Sequence, residues 1–301
     1  MNTGGSVLCS NCSFSSLLSS PNTDADSSPS IILDGATTLE YVDGREYSFD
    51  STNLSTSACF SHCLFIGDKY PSARPLTFNE YKGSISILSC SFVDHTYTKD
   101  DGHVTDDALN TSCRFDQCSS TGGGALCLRG YKLNSHTPLA QLSDCIIVDC
   151  SVTLNGGGVI AEEEIDLSVV NTKFERCGDI DGSGCFCGGA IASMDYKTKL
   201  TVEDSYFIEC RASDRGGAIY KMDTADISIS YTLVQNCYSG TTGALSFEPY
   251  FVSGIKYSFL HVYFDGNMVG ENPNWNQFEP QHHEQTFETD LIDLSFFDLR
   301  Q

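Results

Sequence analysis

Phe207-Ile208-Glu209-Cys210, followed by Gly216-Gly217-Ala218-Ile219-Tyr220, is the best copy of a unit that recurs along the chain. The unit is a Phe or other apolar residue, two variable residues and a Cys, and then, a few residues on, two glycines and a small-apolar pair. With the Phe as reference, the marks fall at Phe14, Phe60, Phe92, Phe115, Ile147, Phe174, Phe207, Val234 and Phe264. Their spacing centres on about thirty residues, the signature of a stacked repeat in which each unit contacts only its neighbours.

Three residues after the mark, Cys63, Cys118, Cys150, Cys177, Cys210 and Cys237 hold six of nine slots, with Leu17, His95 and Asn267 in the others. Two residues before it stand Cys12, Ala58, Cys90, Cys113, Cys145, Thr172, Ser205, Thr232 and Val262, all small or β-branched, as a crowded inward position requires. The glycine element reads Gly123-Gly124-Ala125-Leu126, Gly157-Gly158-Val159-Ile160, Gly188-Gly189-Ala190-Ile191, Gly216-Gly217-Ala218-Ile219 and a degraded Thr242-Gly243-Ala244-Leu245. Between these marks Leu200-Thr201-Val202-Glu203 and Ile227-Ser228-Ile229-Ser230 alternate with a period of two, and long helical periodicity is absent. The units are therefore β, and the paired glycines serve corners where neighbouring coils approach closely. Stacked coils of this kind make a parallel β-helix. About nine coils at roughly 4.8 Å each give a length on the order of 40 Å.

Phe-x-x-Cys followed by Gly-Gly-Ala-Ile resembles the repeat of the polymorphic outer-membrane-protein family, in which Phe-x-x-Asn and Gly-Gly-Ala-Ile/Leu/Val recur. Phe264-Asp265-Gly266-Asn267 alone keeps the family's Asn, and the copies from Phe115 to Val234 match as its cysteine variant, similar to those in large repeat proteins of single-celled eukaryotes. The match is good over residues 85 to 267 and loose over 1 to 84. The resemblance implies an all-β, right-handed parallel β-helix of about eight to nine coils, with the pectin-lyase-like superfold. It also implies an extracellular or cell-surface module, often adhesive, with no catalytic residues to carry over. The residues it marks are structural: Phe115, Phe174 and Phe207, Cys118, Cys150, Cys177, Cys210 and Cys237, and Gly189 and Gly217. Unlike the bacterial members, the chain shows no outer-membrane β-barrel.

Asp and Glu outnumber Lys and Arg 40 to 17, for a formal net charge of -23. Nucleic acid and anionic membranes both call for a basic surface, so neither is an expected partner. Such acidity most simply keeps the chain soluble by self-repulsion, and secondarily draws cations or a basic partner. No stretch reaches the roughly 20 apolar residues of a membrane-spanning helix, and Met1-Asn2-Thr3-Gly4-Gly5 offers neither a basic nor an apolar signal region. Gly4-Gly5-Ser6-Val7 places the start of the chain partway through a unit, as in a fragment of a longer protein. Sequons at Asn11, Asn53 and Asn110 occur at the rate an Asn-, Ser- and Thr-rich chain produces by chance.

The 15 cysteines are too many for an ordinary cytosolic enzyme and too regularly placed for a small disulfide scaffold. Their repeat positions favour buried thiols that replace the Asn ladder as small apolar fillers. Disulfides between adjacent coils stay open, since a rung of about 4.8 Å lies within disulfide reach, as does a C-x4-C link within one coil. Cys9 and Cys12, with Cys59 and Cys63 or Cys185 and Cys187, have the spacing of half-sites for zinc, but Cys12 is already explained by the repeat. Asp179-Ile180-Asp181-Gly182-Ser183-Gly184 opens like a calcium loop yet lacks the closing Glu, with Ala190 in its place, so an acidic turn is expected. His282-His283-Glu284 lies in a polar tail and makes a poor chelating pair. No metal or cofactor is expected.

Parallel β-helices also carry polysaccharide lyases and glycoside hydrolases, so an enzyme is the rival reading. Its candidates are the carboxylates Asp149, Glu175 and Glu209, with Arg129, Arg176, Arg211 and Arg215 as nearby cations; convergence of two carboxyl groups in a cleft would favour it. The preferred expectation is a non-enzymatic binding or structural module over residues 1 to 267, with insertions at about 19–57, 66–84 and 96–111. A protein or glycan ligand is expected at those loops. Residues 268 to 301 are read as a cap or acidic tail.

Overall fold

The computed structural model describes most of the backbone between residues 81 and 270, together with short strands on either side. Side chains are described within 86–94, 110–128, 137–162, 165–179, 184–194, 198–222, 226–248 and 257–270. Cys9, Cys12, Cys59, Cys63, Asp181 and His282-His283-Glu284 lie outside the residues so described.

Every described strand pairing is parallel, and the strands form two main sheets, one of seventeen strands and one of ten. The coil from Val159 illustrates how sequence makes the shape. Val159–Glu162 and Asp166–Val170 lie in the long-strand sheet, and Val159, Ala161, Ile165, Leu167 and Val169 alternate into the core at no more than 1% exposure. Lys173–Glu175 forms a rung of the short-strand sheet with Phe174 inward. Gly178 bridges Ser151 below and Arg211 above on a third face, and Gly188-Gly189 returns the chain to Ile191–Ser193.

Two sharp corners flank each three-residue rung. All thirteen described non-glycine residues with positive φ sit at them: Ser89, Ser112, Asp144, Asn171, Asp204, Tyr231 and His261 on one side, and Asp94, Gln117, Asp149, Arg176, Glu209 and Asn236 on the other. Left-handed backbone is unfavourable for residues with a Cβ. Hydrogen bonds that continue through the bend offset that cost: Asn171 N–H donates to Glu203 O at 3.0 Å and Arg176 N–H to Ile208 O at 2.9 Å in the next coil.

The register corrects the glycine element at one copy. Leu126 pairs with Val159 and Val159 with Ile191, so the equivalent pair is Gly156-Gly157, and Gly158 occupies the Ala slot. The first glycine of each pair has positive φ, as at Gly156 and Gly188. The second is needed for closeness: a Cβ on Gly189 would lie 2.1 Å from Gly217 O, and one on Gly217 would lie 2.5 Å from Tyr238 O.

Phe92, Phe115, Ile147, Phe174, Phe207, Val234 and Phe264 are in register across the short-strand sheet. Below them the assignment differs. Phe92 pairs with Phe65, Phe65 with Leu39 and Leu39 with Phe14, whereas Phe60 lies in Ser57–Ser61 of the long-strand sheet. Cys63 consequently stands two before the mark, opposite Thr37, and not in the later cysteine column. The strands Ile31–Asp34, Thr37–Glu40 and Ser48–Asp50 fall within the span 19–57.

The coil count is also corrected. The structure is an all-β parallel solenoid of about five turns, not eight to nine. Outside the two main sheets one continuous ladder runs from Ser119–Ser120 through Ser151–Val152, Gly178, Arg211–Ala212 and Tyr238–Ser239 to Met268–Val269, six rungs that bound five turns, while Ser48–Asp50 and Thr77–Asn79 pair as a separate two-stranded sheet. Phe marks count rungs of one sheet, whereas this continuous ladder accompanies only part of them. Five turns rise on the order of 24 Å.

Inside, Phe92 stacks on Phe115 at 4.8 Å and Phe174 on Phe207 at 5.0 Å, ring on ring at the strand spacing. The cysteine columns complete this core.

Candidate interaction face on the short-strand sheet

In the three-residue rungs the central side chain points inward and the flanking positions form two rows on the outer side, with Val148 the one flanking residue of these rows that is buried. One row reads Arg114, Ile146, Lys173, Tyr206, Leu233, Tyr263; the other reads Asp116, Val148, Glu175, Ile208, Gln235, Asp265. The face changes character halfway.

The first half is charged and internally paired on the rungs that flank the apolar Ile146–Val148. Arg114 meets Asp116 at 2.6 Å and Lys173 meets Glu175 at 2.5 Å along single strands. Arg176, at the corner, reaches back one coil to Asp149 at 2.7 Å and also binds Glu175. Lys173 first, and then Arg176, hold the Glu175 carboxyl below the usual carboxylate range, while Asp149 raises Arg176 further. The structure thus brings together three of the residues on which an enzyme would draw, Asp149, Glu175 and Arg176, as an open ion-pair network at the surface. Glu209 stands exposed at its own corner, Arg211 lies on the third face and the Arg129 side chain lies outside the described residues.

The second half is aromatic. Tyr206 is 47% exposed, Tyr263 62% and the corner residue Tyr231 50%; the His261 ring lies 5.1 Å from that of Tyr231, tilted by 30°. Leu233 separates Tyr206 from Tyr263, one rung from each. Asp204, Glu209 and Asp265 are exposed around them, and among the described residues none of the three is in an ion pair. Gln235 donates to Asp265 at 2.7 Å. In the sequence Tyr206 and Tyr263 are mark-adjacent residues two copies apart, and periodicity assigns such positions only to the outside of the coil, so nothing there singles out the patch.

The residues marked by the repeat lie behind this face. Phe115, Phe174 and Phe207 are at most 2% exposed, and Cys118, Cys150, Cys177, Cys210 and Cys237 at most 3%. The eleven described cysteines are all thiols, with no disulfide among them. Cys177 Sγ–H donates to Ile147 O of the preceding coil at 3.4 Å, and Cys237 does the same to Phe207 O at 3.6 Å. Asn267 does more: its Nδ2 donates to Val234 O and its Oδ1 accepts from Cys237 N–H, both at 2.8 Å. A thiol therefore supplies the Asn donor without its acceptor. Burial pushes the Cys150, Cys177 and Cys237 thiols up. In the second column Cys113, Cys145, Thr172, Ser205 and Thr232 each donate to the carbonyl two residues back.

Among the described residues no group of three or more His, Cys, Asp or Glu side chains is placed to hold a metal ion. Cys185 is buried and hydrogen-bonds to Gly188 O, while Asp179 accepts from Gly184 N–H at 3.4 Å. Among the described residues no helix is long and apolar enough to cross a membrane.

One cluster escaped sequence reading. Glu248, 7% exposed, accepts from Tyr220 Oη at 2.9 Å and is paired with Arg215, whose Nε lies 3.4 Å from Asp214. Burial and then Glu248 raise the Tyr220 phenol. Glu248 alternates normally within Leu245–Glu248, so nothing in the sequence separates it from an ordinary surface carboxylate.

Comparison with protein families, with curated proteins and with solved structures gives no match.

Proposed function

We propose that the chain is a non-enzymatic β-solenoid binding module of the cell surface or secreted space, adhesin-like in the manner of the polymorphic outer-membrane-protein repeats it resembles. The observation that carries this reading is the exposed tyrosine cluster of Tyr206 and Tyr263 with the corner residue Tyr231, beside rungs whose charges are paired among themselves. Large amphipathic rings held on a rigid sheet supply contact area at low conformational cost. The repeat residues themselves are consumed by folding, so a ligand surface has to come from positions the repeat leaves variable.

The enzyme reading has one observation in its favour, the buried Glu248 with Tyr220, Arg215 and Asp214. Both Arg215 and Tyr220 are already engaged with this carboxylate inside the fold, an arrangement that suits a structural role. The test is to incubate the full chain with a panel of polysaccharides and follow new reducing ends and unsaturated sugars. The proposal expects neither. Cleavage that disappears in Glu248→Gln would replace the binding-module reading with the enzymatic one.

A further inference from the structure

Resting on that binding-module reading, we infer that the aromatic half of the short-strand face receives an arginine- or lysine-bearing segment of a protein partner. Three observations converge. The rings of Tyr206, Tyr231 and Tyr263 are each about half exposed or more, and a tyrosine face attracts a guanidinium or ammonium held over it. Asp204, Glu209 and Asp265 rim those rings with no ion pair among the described residues. The rungs Tyr206–Ile208, Leu233–Gln235 and Tyr263–Asp265 contain no Lys or Arg. The neighbouring half of the same sheet is otherwise built: there each outward strand carboxylate, Asp116 and Glu175, has its cation beside it.

Charge decides among possible occupants. Single-stranded nucleic acid also stacks on aromatic platforms, but its phosphates oppose a chain of net charge -23. A second copy of the chain meets the same repulsion. A basic segment gains from the overall field during approach and from the three local carboxylates on docking. Arginine fits best, because its planar fork stacks on a ring while its N–H groups bind a carboxylate. Adjacent rungs are about 4.8 Å apart, so Tyr206 and Tyr263 present two ring positions separated by Leu233 to one extended segment.

The test is a fluorescence-anisotropy titration of the full chain with three labelled probes: an alternating Arg-Gly peptide, its Lys-Gly counterpart and a neutral β-linked glucan oligomer. The arginine peptide is expected to bind more tightly than the lysine peptide. Tyr206→Leu with Tyr263→Leu should weaken arginine-peptide binding about two- to fivefold per tyrosine, and Tyr206→Phe with Tyr263→Phe should restore it. Asp265→Asn should weaken binding, whereas Asp116→Asn, an equal change in net charge on the paired half, should leave it unchanged. Equal effects of the two Asp variants with none from the tyrosines would mean diffuse attraction and overturn the inference. Tyrosine-dependent binding of the glucan in place of the peptides would overturn the basic partner and keep the binding module. Absence of tyrosine-dependent binding by all three probes would sink both.

Discussion

The two halves of the short-strand face stand on the same interior and differ only in what the outward positions carry. Around Arg114, Lys173 and Arg176 every cation is matched with a carboxylate on its own or the adjacent coil. Around Tyr206, Tyr231 and Tyr263 the carboxylates have no cation among the described residues, and the rings stand about half exposed or more. The rung geometry beneath is the same in both: an inward Phe or aliphatic residue, a buried thiol or Asn, and a left-handed corner. A solenoid thus separates the residues that fold it from those that face a partner, since alternate positions of one strand answer to different constraints.

The largest expected effect tests whether the interior really is shared. Phe174 lies beneath the paired half and Phe207 beneath the aromatic half, stacked on one another and both fully buried. Phe174→Ala and Phe207→Ala should each cost about 3–5 kcal/mol in denaturant unfolding. A large inequality between them would show that the halves rest on different foundations. Next comes Asn267→Ala, which strips partners from Val234 O and Cys237 N–H and should cost roughly 1–3 kcal/mol. A negligible loss would mean that the Asn rung holds nothing the thiol rungs lack. Smaller still is the contrast at the surface. Arg176→Ala should lower stability by about 0–1 kcal/mol, and by less in high salt. Tyr206→Ala and Tyr263→Ala should stay within about 0.5 kcal/mol while changing ligand binding. If the tyrosine variants prove the more destabilising, the aromatic half belongs to the fold and not to an interface.

Much of the fold was legible because its constraints repeat. Phe115, Phe174 and Phe207 and the Gly-Gly corners recur for the same steric reason in each coil, and recurrence identifies them without a structure. Phe60 was misassigned because a Phe in the long-strand sheet looks the same in sequence as Phe65, which fills the rung, and the next rung down is filled by Leu39, which is no Phe. Gly158 misled for a related reason: in the Ala slot of its coil it lengthened the glycine run by one, and only pairing shows which two turn the corner. The coil count failed because Phe marks report the rungs of one sheet, and the continuous ladder outside the two main sheets accompanies only part of them. The interaction face was not legible at all. Outward positions vary freely, and stacking alone places Tyr206 one rung from Leu233 and two from Tyr263.

The smallest prediction separates the halves by pH. Glu175 has its carboxyl lowered chiefly by Lys173 and then by Arg176. A carboxylate whose pKa is lower folded than unfolded adds stability above its unfolded value, and that stability is lost as pH falls through the folded one. Because the partners Lys173 and Arg176 lie open to solvent at the surface, screening keeps the contribution small. Melting temperatures of the parent and of Glu175→Gln should therefore differ slightly at neutral pH and converge on the acid side of the ordinary carboxylate range. Added salt should shrink the difference at neutral pH. A difference that persists unchanged through the acid range would mean that Lys173 and Arg176 do not hold Glu175. The contrast between a self-paired half and an unpaired one would then be gone.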